Sequence, residues 1–402
     1  FGQALAEYAL AAWESVTGIR FVHTTGGSAE ITFDDEENGA FSSSQVFGLG
    51  TITSSHVNVG QDWLSIYGTG FDSYSYQTYI HEIGHALGLG HAGDYNGGRV
   101  IYGFDNLYPN DSWQATVMSY FSQTDNTEID ASYAYVTSAM MADILAMQDL
   151  YGVTSLRTGN NTYGEQTNAG ASYSLIADML RNRSQYEDIT FTVFDQGGID
   201  RLDLRSDTSD QRINMSPGAI SNAYGLLGNI SIAEGTMIEE LLTGSGNDYV
   251  LGNGSNNMVR GGAGRDTLYG FSGNDTLFGD QGVDHLLGGS GNDSYFADMT
   301  DTISEALNAG IDMVYSYVDY RLGANIENLN LGIGTARYGS GNTLDNFLIG
   351  NNAVNVLQGF EGHDTLSGQN GNDTLYGANG NDWLSGGDGR DLQRCDGAIV
   401  VV

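Results

Sequence analysis

Lysine is missing altogether: the 14 basic residues of this 402-residue chain are all arginine, and they face 50 Asp and Glu for a formal charge of −36 at pH 7. That balance argues against a nucleic-acid partner, whose phosphates require a basic surface. It also builds in a self-repulsion that bound cations would offset, coupling folding to a cation-rich exterior. A saline habitat or a genome bias produces the same composition. Cysteine is nearly absent, Cys395 standing alone, so no disulfide can close within the chain and an exported protein of this size needs another staple. No run of about 18 apolar residues occurs, so no membrane insertion is expected. Residue 1 falls inside an amphipathic helical pattern with no signal peptide ahead of it, and the start reads as trimmed.

Two patterns dominate what is present. Residues 81 to 91 read HEIGHALGLGH, which sets His81, Glu82, His85, Gly88 and His91 in the form HExxHxxGxxH, a zinc-hydrolase signature. On a helix, His81 and His85 share one face and can close on one metal ion, with Glu82 beside them to handle a water. Gly88 lets the chain leave the helix sharply and bring in His91 as a third nitrogen ligand. Three nitrogens leave the open position that a catalytic zinc requires. A chance HExxH occurs in many helices; the five fixed positions of the long form do not arise so readily. Downstream, TVMSYF supplies Met118 and, two residues later, Tyr120. A methionine there packs as an apolar floor beneath such a site, and the tyrosine can reach the metal or a bound substrate.

The second pattern is a nine-residue repeat, GGxGxDx followed by an apolar residue. Val250, Val259, Leu268, Leu277, Leu286 and Tyr295 recur at this interval, and Leu348, Leu357, Leu366, Leu375 and Leu384 form a matching block. Glycines permit a tight loop, the aspartate supplies carboxylate oxygen, and the apolar residue points into a narrow stacked core. This is the pattern of a parallel β-roll that binds calcium. Its candidate calcium residues are Gly246 with Asp248, Gly264 with Asp266, Gly273 with Asp275, Gly282 with Asp284 and Gly291 with Asp293. In the second block they are Gly362 with Asp364, Gly371 with Asp373 and Gly380 with Asp382. Asn257, Asn346 and Asn355 replace the aspartate in degraded turns, which should bind weakly or serve as caps. Gln393 takes the apolar position in GRDLQR, and the roll is expected to stop there.

Elsewhere the first part of the chain reads as mixed α and β. QALAEYALAAWESV is amphipathic, with Leu5, Ala9, Ala12, Trp13 and Val16 on one face. IRFVHT, AEITFD and SHVNVG alternate as strands, and the zinc helix is expected over roughly 75 to 87. FSSSQVFGLG is a candidate edge strand for docking an extended peptide. His23 and His56 are taken as structural. A helix from about Tyr133 to Tyr151, stopped by Gly152, should close the first domain.

HEIGHALGLGHAGDYN, the VMSY turn and the helix ending in ADILAMQDLYG together resemble the serralysin family of secreted bacterial metalloproteases, over about residues 1 to 296. The resemblance implies an α+β metzincin catalytic domain followed by an all-β parallel β-roll (RTX) calcium-binding domain. It implies one catalytic zinc on His81, His85 and His91, with Glu82 as general base and Tyr120 as a further ligand that moves to stabilise the transition state. Several structural calcium ions would accompany it. Further calcium residues implied are Arg157, Gly159 and Asn161 of RTGNN, Asp195, Gly197, Gly198 and Asp200 of DQGGID, and Glu239. Ala92 stands where the family usually has proline, a position that tunes a turn and touches no metal. The family also implies protein or peptide substrates, secretion to the extracellular side of a Gram-negative cell through type I secretion machinery, and a monomer. The ending DGAIVVV resembles the C-terminal export signal, or alternatively a buried terminal strand.

The expected organisation is therefore a zinc metalloprotease domain over 1–155, a β-rich calcium-binding region with the first roll over 156–296, a β-rich spacer over 297–340, and a second roll with the export-like tail over 341–402. Ordinary serralysins carry one roll, so the second is open as a folding staple, an attachment module or an exported tail. The competing reading is a calcium-dependent adhesion or structural RTX protein whose protease domain is inactive or secondary.

Overall fold

The computed structural model describes residues 2–24, 29–48, 50–152, 155–332, 334–395 and, as backbone, 399–401. The chain divides into two compact units, one of residues 1–204 with 216–238, the other of residues 205–215 with 239–402.

The first unit is built on helix α1 (Gly2–Thr17), whose apolar stripe of Leu5, Ala6, Ala9, Ala12, Trp13 and Val16 is buried. This is the face expected from its spacing, and full burial of each large side chain in it is worth roughly 1.5–3 kcal/mol. Strands β1 (Ile31–Asp34), β2 (Ala40–Phe47) and β3 (Thr51–Val59) form a sheet in the order β1-β3-β2. β1 runs parallel and β2 antiparallel to β3, which leaves β2 on an edge. Helix α2 (Gln61–Tyr67) leads to helix α3 (Tyr74–Ala86), which carries the histidine motif and packs on α1, β2 and β3. Helices α4 (Met141–Tyr151) and α5 (Ala171–Arg181) also lie against α1. The wholly buried strand Ile189–Val193 pairs in parallel with Leu226–Ile232 and with Tyr135–Val136.

Two expectations are corrected here. Residues 19–24, expected as a strand, carry no strand. The helix expected from Tyr133 begins only at Met141, because residues 133–140 remain extended: Val136 N–H donates to Gln77 Oε1 (2.9 Å), and Asp143 caps the helix start at Met140. Long-range pairing overrides local helical preference there.

In the second unit parallel strands stack turn upon turn. One face runs through Glu240–Leu242, Met258–Arg260, Thr276–Phe278, Ser294–Phe296, Met313–Tyr315, Asn328–Asn330, Phe347–Ile349, Thr365–Ser367, Asp382–Ser385 and Ile399–Val401. The opposite face runs through Arg212–Asn214, Tyr249–Leu251, Thr267–Ser272, His285–Ser290 and Thr302–Ile303. It is taken up again by Tyr320–Arg321, Tyr338–Ser340, Val356–Glu361, Thr374–Asn379 and Leu392–Cys395. Every apolar residue named for the repeats has 0% exposure, and Val314 and Leu329 join them.

The stretch between the two repeat blocks thus contributes strands to the same stack. Ser294 pairs with Met313, Met313 with Asn328 and Asn328 with Phe347, offsets of 19, 15 and 19 residues, whereas Thr276 pairs with Ser294 at 18. The expectation that the roll stops at Gln393 is also corrected: Gln393 pairs with Leu375 and adds a further strand. A ladder of backbone hydrogen bonds needs no apolar side chain on a terminal strand. Of the terminal DGAIVVV, residues 396–398 and 402 lie outside the described residues, while Ile399–Val401 pairs with Asp382–Leu384.

Candidate metal centre and active site

Ser73 caps α3, its hydroxyl accepting from Tyr76 N–H at 3.3 Å. The helix closes in a Schellman turn: Leu89 N–H donates to Gly84 O (3.0 Å), Gly88 N–H to His85 O (2.9 Å), and Gly88 has φ +102°. That left-handed residue is the sharp exit the motif's glycine implied, and it carries the chain around to His91. The Nε2 atoms of His81, His85 and His91 lie 3.0–3.2 Å from one another. Each ring is fixed from behind by a backbone carbonyl: His81 Nδ1 to Val117 O (2.8 Å), His85 Nδ1 to Leu89 O (2.8 Å) and His91 Nδ1 to Tyr95 O (2.7 Å). Rings that donate Nδ1–H present bare Nε2 lone pairs. Burial pushes His81 down to about 3 and His91 down to about 4, and it lowers His85 as well, so all three rings are neutral near pH 7. Three lone pairs aimed at one point repel unless a cation sits between them. The donor set fits zinc, which takes three imidazoles and keeps a fourth position open.

Glu82 is buried beside the histidines, and that burial pushes its carboxyl up to about 7 against the pull of the Ser42 backbone N–H on β2. The Tyr120 ring centroid lies 4.6 Å from that of His91 and 5.9 Å from that of His81. Its hydroxyl accepts from Gly97 N–H at 3.3 Å, and burial raises its pKa. Met118 is buried under the helix, its Sδ only 2.7 Å from where a Cβ on Gly84 would stand.

The supporting shell contains residues that the sequence patterns do not reveal. Asp143, on α4, accepts from Thr116 Oγ1 (2.5 Å), Val117 N–H (2.9 Å) and Met140 N–H (2.9 Å). It therefore fixes the turn whose Val117 carbonyl orients His81, and burial pushes its own carboxyl up to about 6. Tyr95, whose carbonyl orients His91, donates its hydroxyl to buried Asp111 at 2.9 Å. In the helix expected from Tyr133 to Tyr151, Asp143 falls midway, where an acidic residue reads as an ordinary surface charge; only the late start of α4 at Met141 puts it in the first turn.

The sequence compares with known proteins along almost its whole length. A family profile described as peptidase M10 serralysin C terminal matches residues 153–393, and one described as matrixin matches residues 3–134. The chain belongs to the serralysin family. It is 34% identical over 269 residues to metallopeptidase AprA of Pseudomonas marginalis, covering 64% of this chain and 55% of that protein. It is 37% identical over 256 residues to serralysin C of Dickeya chrysanthemi (61% and 52%) and 35% identical over 278 residues to serralysin of Proteus mirabilis (63% and 54%). The serralysin-family chain spans about half the length of these curated relatives.

The roll of this serralysin-family chain arranges its aspartates as a ladder. The N–H of one donates to Oδ1 of the aspartate a full turn later: Asp248 to Asp266, Asp266 to Asp284, Asp275 to Asp293 and Asp364 to Asp382, at 2.7–3.0 Å. The second oxygen of Asp248, Asp266, Asp275, Asp284, Asp293, Asp364, Asp373 and Asp382 is buried without a hydrogen-bond partner. A row of buried, unpartnered carboxylate oxygens is what a hard, oxygen-seeking cation satisfies, so these residues fit calcium. The glycines paired with them hold the close approach that the turn needs; a Cβ on Gly273, at φ +120°, would stand 2.5 Å from Ser255 O.

The asparagine turns close by themselves. Asn257, Asn346 and Asn355 each accept from the N–H of an asparagine four residues earlier, Asn253, Asn342 and Asn351, and donate their Nδ2 to its side-chain oxygen. Asp207 and Asp210, in a turn outside the sequence repeat, were missed by the reading of its register: Asn247 N–H donates to Asp210 Oδ1 (2.7 Å), and Ile213 pairs with Val250.

RTGNN and DQGGID are brought together in the first unit. Asn161 N–H donates to Asp200 Oδ1 (2.7 Å), Gly197 N–H donates to Asp195 Oδ1 (2.8 Å), and a Cβ on Gly198 would stand 2.5 Å from Gly159 O. The Asn161 amide lies 2.8 Å from Gly159 O and 3.1 Å from Asp195 Oδ2. Arg157, with φ +51°, donates from Nη1 to Phe194 O at 2.8 Å. Glu239 lies half-buried in the second unit, its carbonyl accepting from Met258 N–H at 2.8 Å.

Proposed function

We propose that this chain is a secreted zinc endopeptidase that hydrolyses peptide bonds of extended or unfolded proteins, and that calcium folds and stabilises its roll. The observation that carries the reading is the convergence of three neutral Nε2 atoms beside a buried glutamate. A zinc ion on His81, His85 and His91 would lower the pKa of a bound water and polarise a peptide carbonyl.

Glu82 takes the proton of the attacking water and returns it to the leaving amine, a double duty suited to a carboxyl that burial has pushed up to about 7. Tyr120 turns its hydroxyl from Gly97 N–H to donate to the developing oxyanion. Strand β2, on the sheet edge with Ser42 contacting Glu82, offers main-chain hydrogen bonds to an extended substrate. Glu82→Ala should leave zinc content and fold intact and abolish nearly all casein hydrolysis; retained turnover would remove Glu82 from this role. Loss of activity to 1,10-phenanthroline and its return with zinc test the metal itself. Stoichiometric zinc with no turnover on any protein would favour the adhesion or structural reading.

Export through a type I machinery is part of the same proposal, and it rests on the resemblance of the ending DGAIVVV to a C-terminal export signal. Secretion from a host carrying such a machinery should stop when residues 396–402 are deleted, and continued export would assign the signal elsewhere.

A further inference from the structure

Among the described residues, two groups of three or more side chains could hold a metal ion: the three histidines, and Asp293, Glu305 and Asp312, whose ligand atoms lie within 4.8 Å of one another. The second group is not a repeat site. Asp293 ends the last repeat of the first block, but Glu305 and Asp312 lie beyond it in SEALNAGID, which has no GGxGxD pattern. Asp312 nevertheless takes the aspartate's place in the ladder, its Oδ1 accepting from Asp293 N–H at 2.8 Å.

Asp293 and Asp312 are each only 1% exposed, and Oδ2 of each has no hydrogen-bond partner. A methyl built on Gly288 would collide with both Asp293 Oδ2 and the Tyr295 hydroxyl, so these two atoms are neighbours. That hydroxyl donates in turn to Glu305 Oε1 and accepts from Gly288 N–H at 2.9 Å. The orphan oxygen of Asp293 is therefore aimed at the pocket that Glu305 enters.

The opposite face of the same turn supplies the contrast. Asp301 also continues the ladder, but its two oxygens are taken, Oδ1 by Asp284 N–H (3.0 Å) and Oδ2 by Asp298 N–H (2.8 Å). That turn closes without help. The turn at Asp312 does not: three carboxylates converge there, and burial, with Glu305, Asp293 and Glu327 nearby, pushes Asp312 up to about 7. Among the described residues, no arginine or histidine forms an ion pair with the three.

We propose that Asp293, Glu305 and Asp312 bind a calcium ion where the first repeat block passes into the non-repeating stretch, with Glu305 supplying the ligand that a missing repeat loop would otherwise contribute. Oxygen-only donors and three formal negative charges select a hard divalent cation over zinc or copper. The inference shares Asp293 with the calcium reading of the roll and otherwise stands on its own residues. The ion would stabilise the change of turn length that begins at Ser294.

The test is calcium titration of the full chain, stripped of metal, against a chromophoric chelator, with Glu305→Gln, Asp312→Asn and, as a repeat control, Asp266→Asn. Glu305→Gln keeps the oxygen that accepts from Ala306 N–H, and Asp312→Asn keeps the one that accepts from Asp293 N–H, so the ladder is preserved and either variant can stand in should the other fail to fold. Each should bind one ion fewer than the parent, or hold one ion at least about tenfold more weakly. The double variant should lose no second ion. Asp266→Asn should weaken a different ion. Parent-like titration of both Glu305→Gln and Asp312→Asn, with Asp266→Asn altered, overturns this site alone; no calcium bound by the parent overturns the roll reading with it.

Discussion

Gly84 stands between His81 and His85 in sequence, on the face of α3 that meets the core. A methyl there would lie 2.7 Å from Met118 Sδ and 3.0 Å from Trp13 Cζ2. Both neighbours are fully packed, so Gly84→Ala should destabilise the first unit by about 1–3 kcal/mol in urea denaturation, and an unchanged midpoint would mean that the helix can lift freely. The long zinc pattern names His81, Glu82, His85, Gly88 and His91 because metal chemistry demands those residue types at that spacing. It leaves position 84 open, since the residue that forbids a side chain there, Trp13, is distant in sequence. The same holds for Asp143 and the Val117 carbonyl. Ligands were legible one by one, whereas what orients them depends on packing between elements that no local pattern encodes.

At the scale of elements, the turns of the roll divide into two kinds. Asp275 leaves Oδ2 buried and unpartnered, whereas Asn257 exchanges hydrogen bonds with Asn253 in its own turn. Asp275→Asn should therefore lower the thermal midpoint in saturating calcium by a few degrees, about 2–4 °C per kcal/mol lost, and change little in chelator. Asn257→Ala should lower it equally in both conditions. Equal calcium dependence of the two variants would sink the distinction. These turns were readable because one residue type at a fixed position decides the matter. The strands between the blocks were harder to place, because offsets of 19 and 15 residues destroy the nine-residue register while leaving the backbone ladder intact. The helix expected from Tyr133 failed for a different reason, since its first residues are held extended by partners such as Gln77 on α3.

For the molecule as a whole, part of the excess of acid is lined up in buried rows. Burial pushes Asp266 up to about 8, Asp275 to about 7, and Asp248, Asp284 and Asp364 to about 6. A carboxyl that holds its proton more tightly folded than unfolded favours the fold as pH falls and opposes it as pH rises through the folded value. Without calcium the second unit should therefore gain stability on acidification from about pH 8 toward pH 5. With calcium bound the dependence should reverse, because protons and cations compete for the same oxygens. Thermal melts in chelator and in calcium at pH 5, 6, 7 and 8 check this, and a chelator series that falls on acidification would refute it. The ladder also has a direction: each aspartate N–H reaches forward to a carboxylate one turn later in the chain. A turn is complete only when its successor is in place, so the stack resembles a zip fastener more than a globule. Tension applied along it should open it tooth by tooth from the last turn, as a run of small steps in extension without the single rupture of a cooperative core.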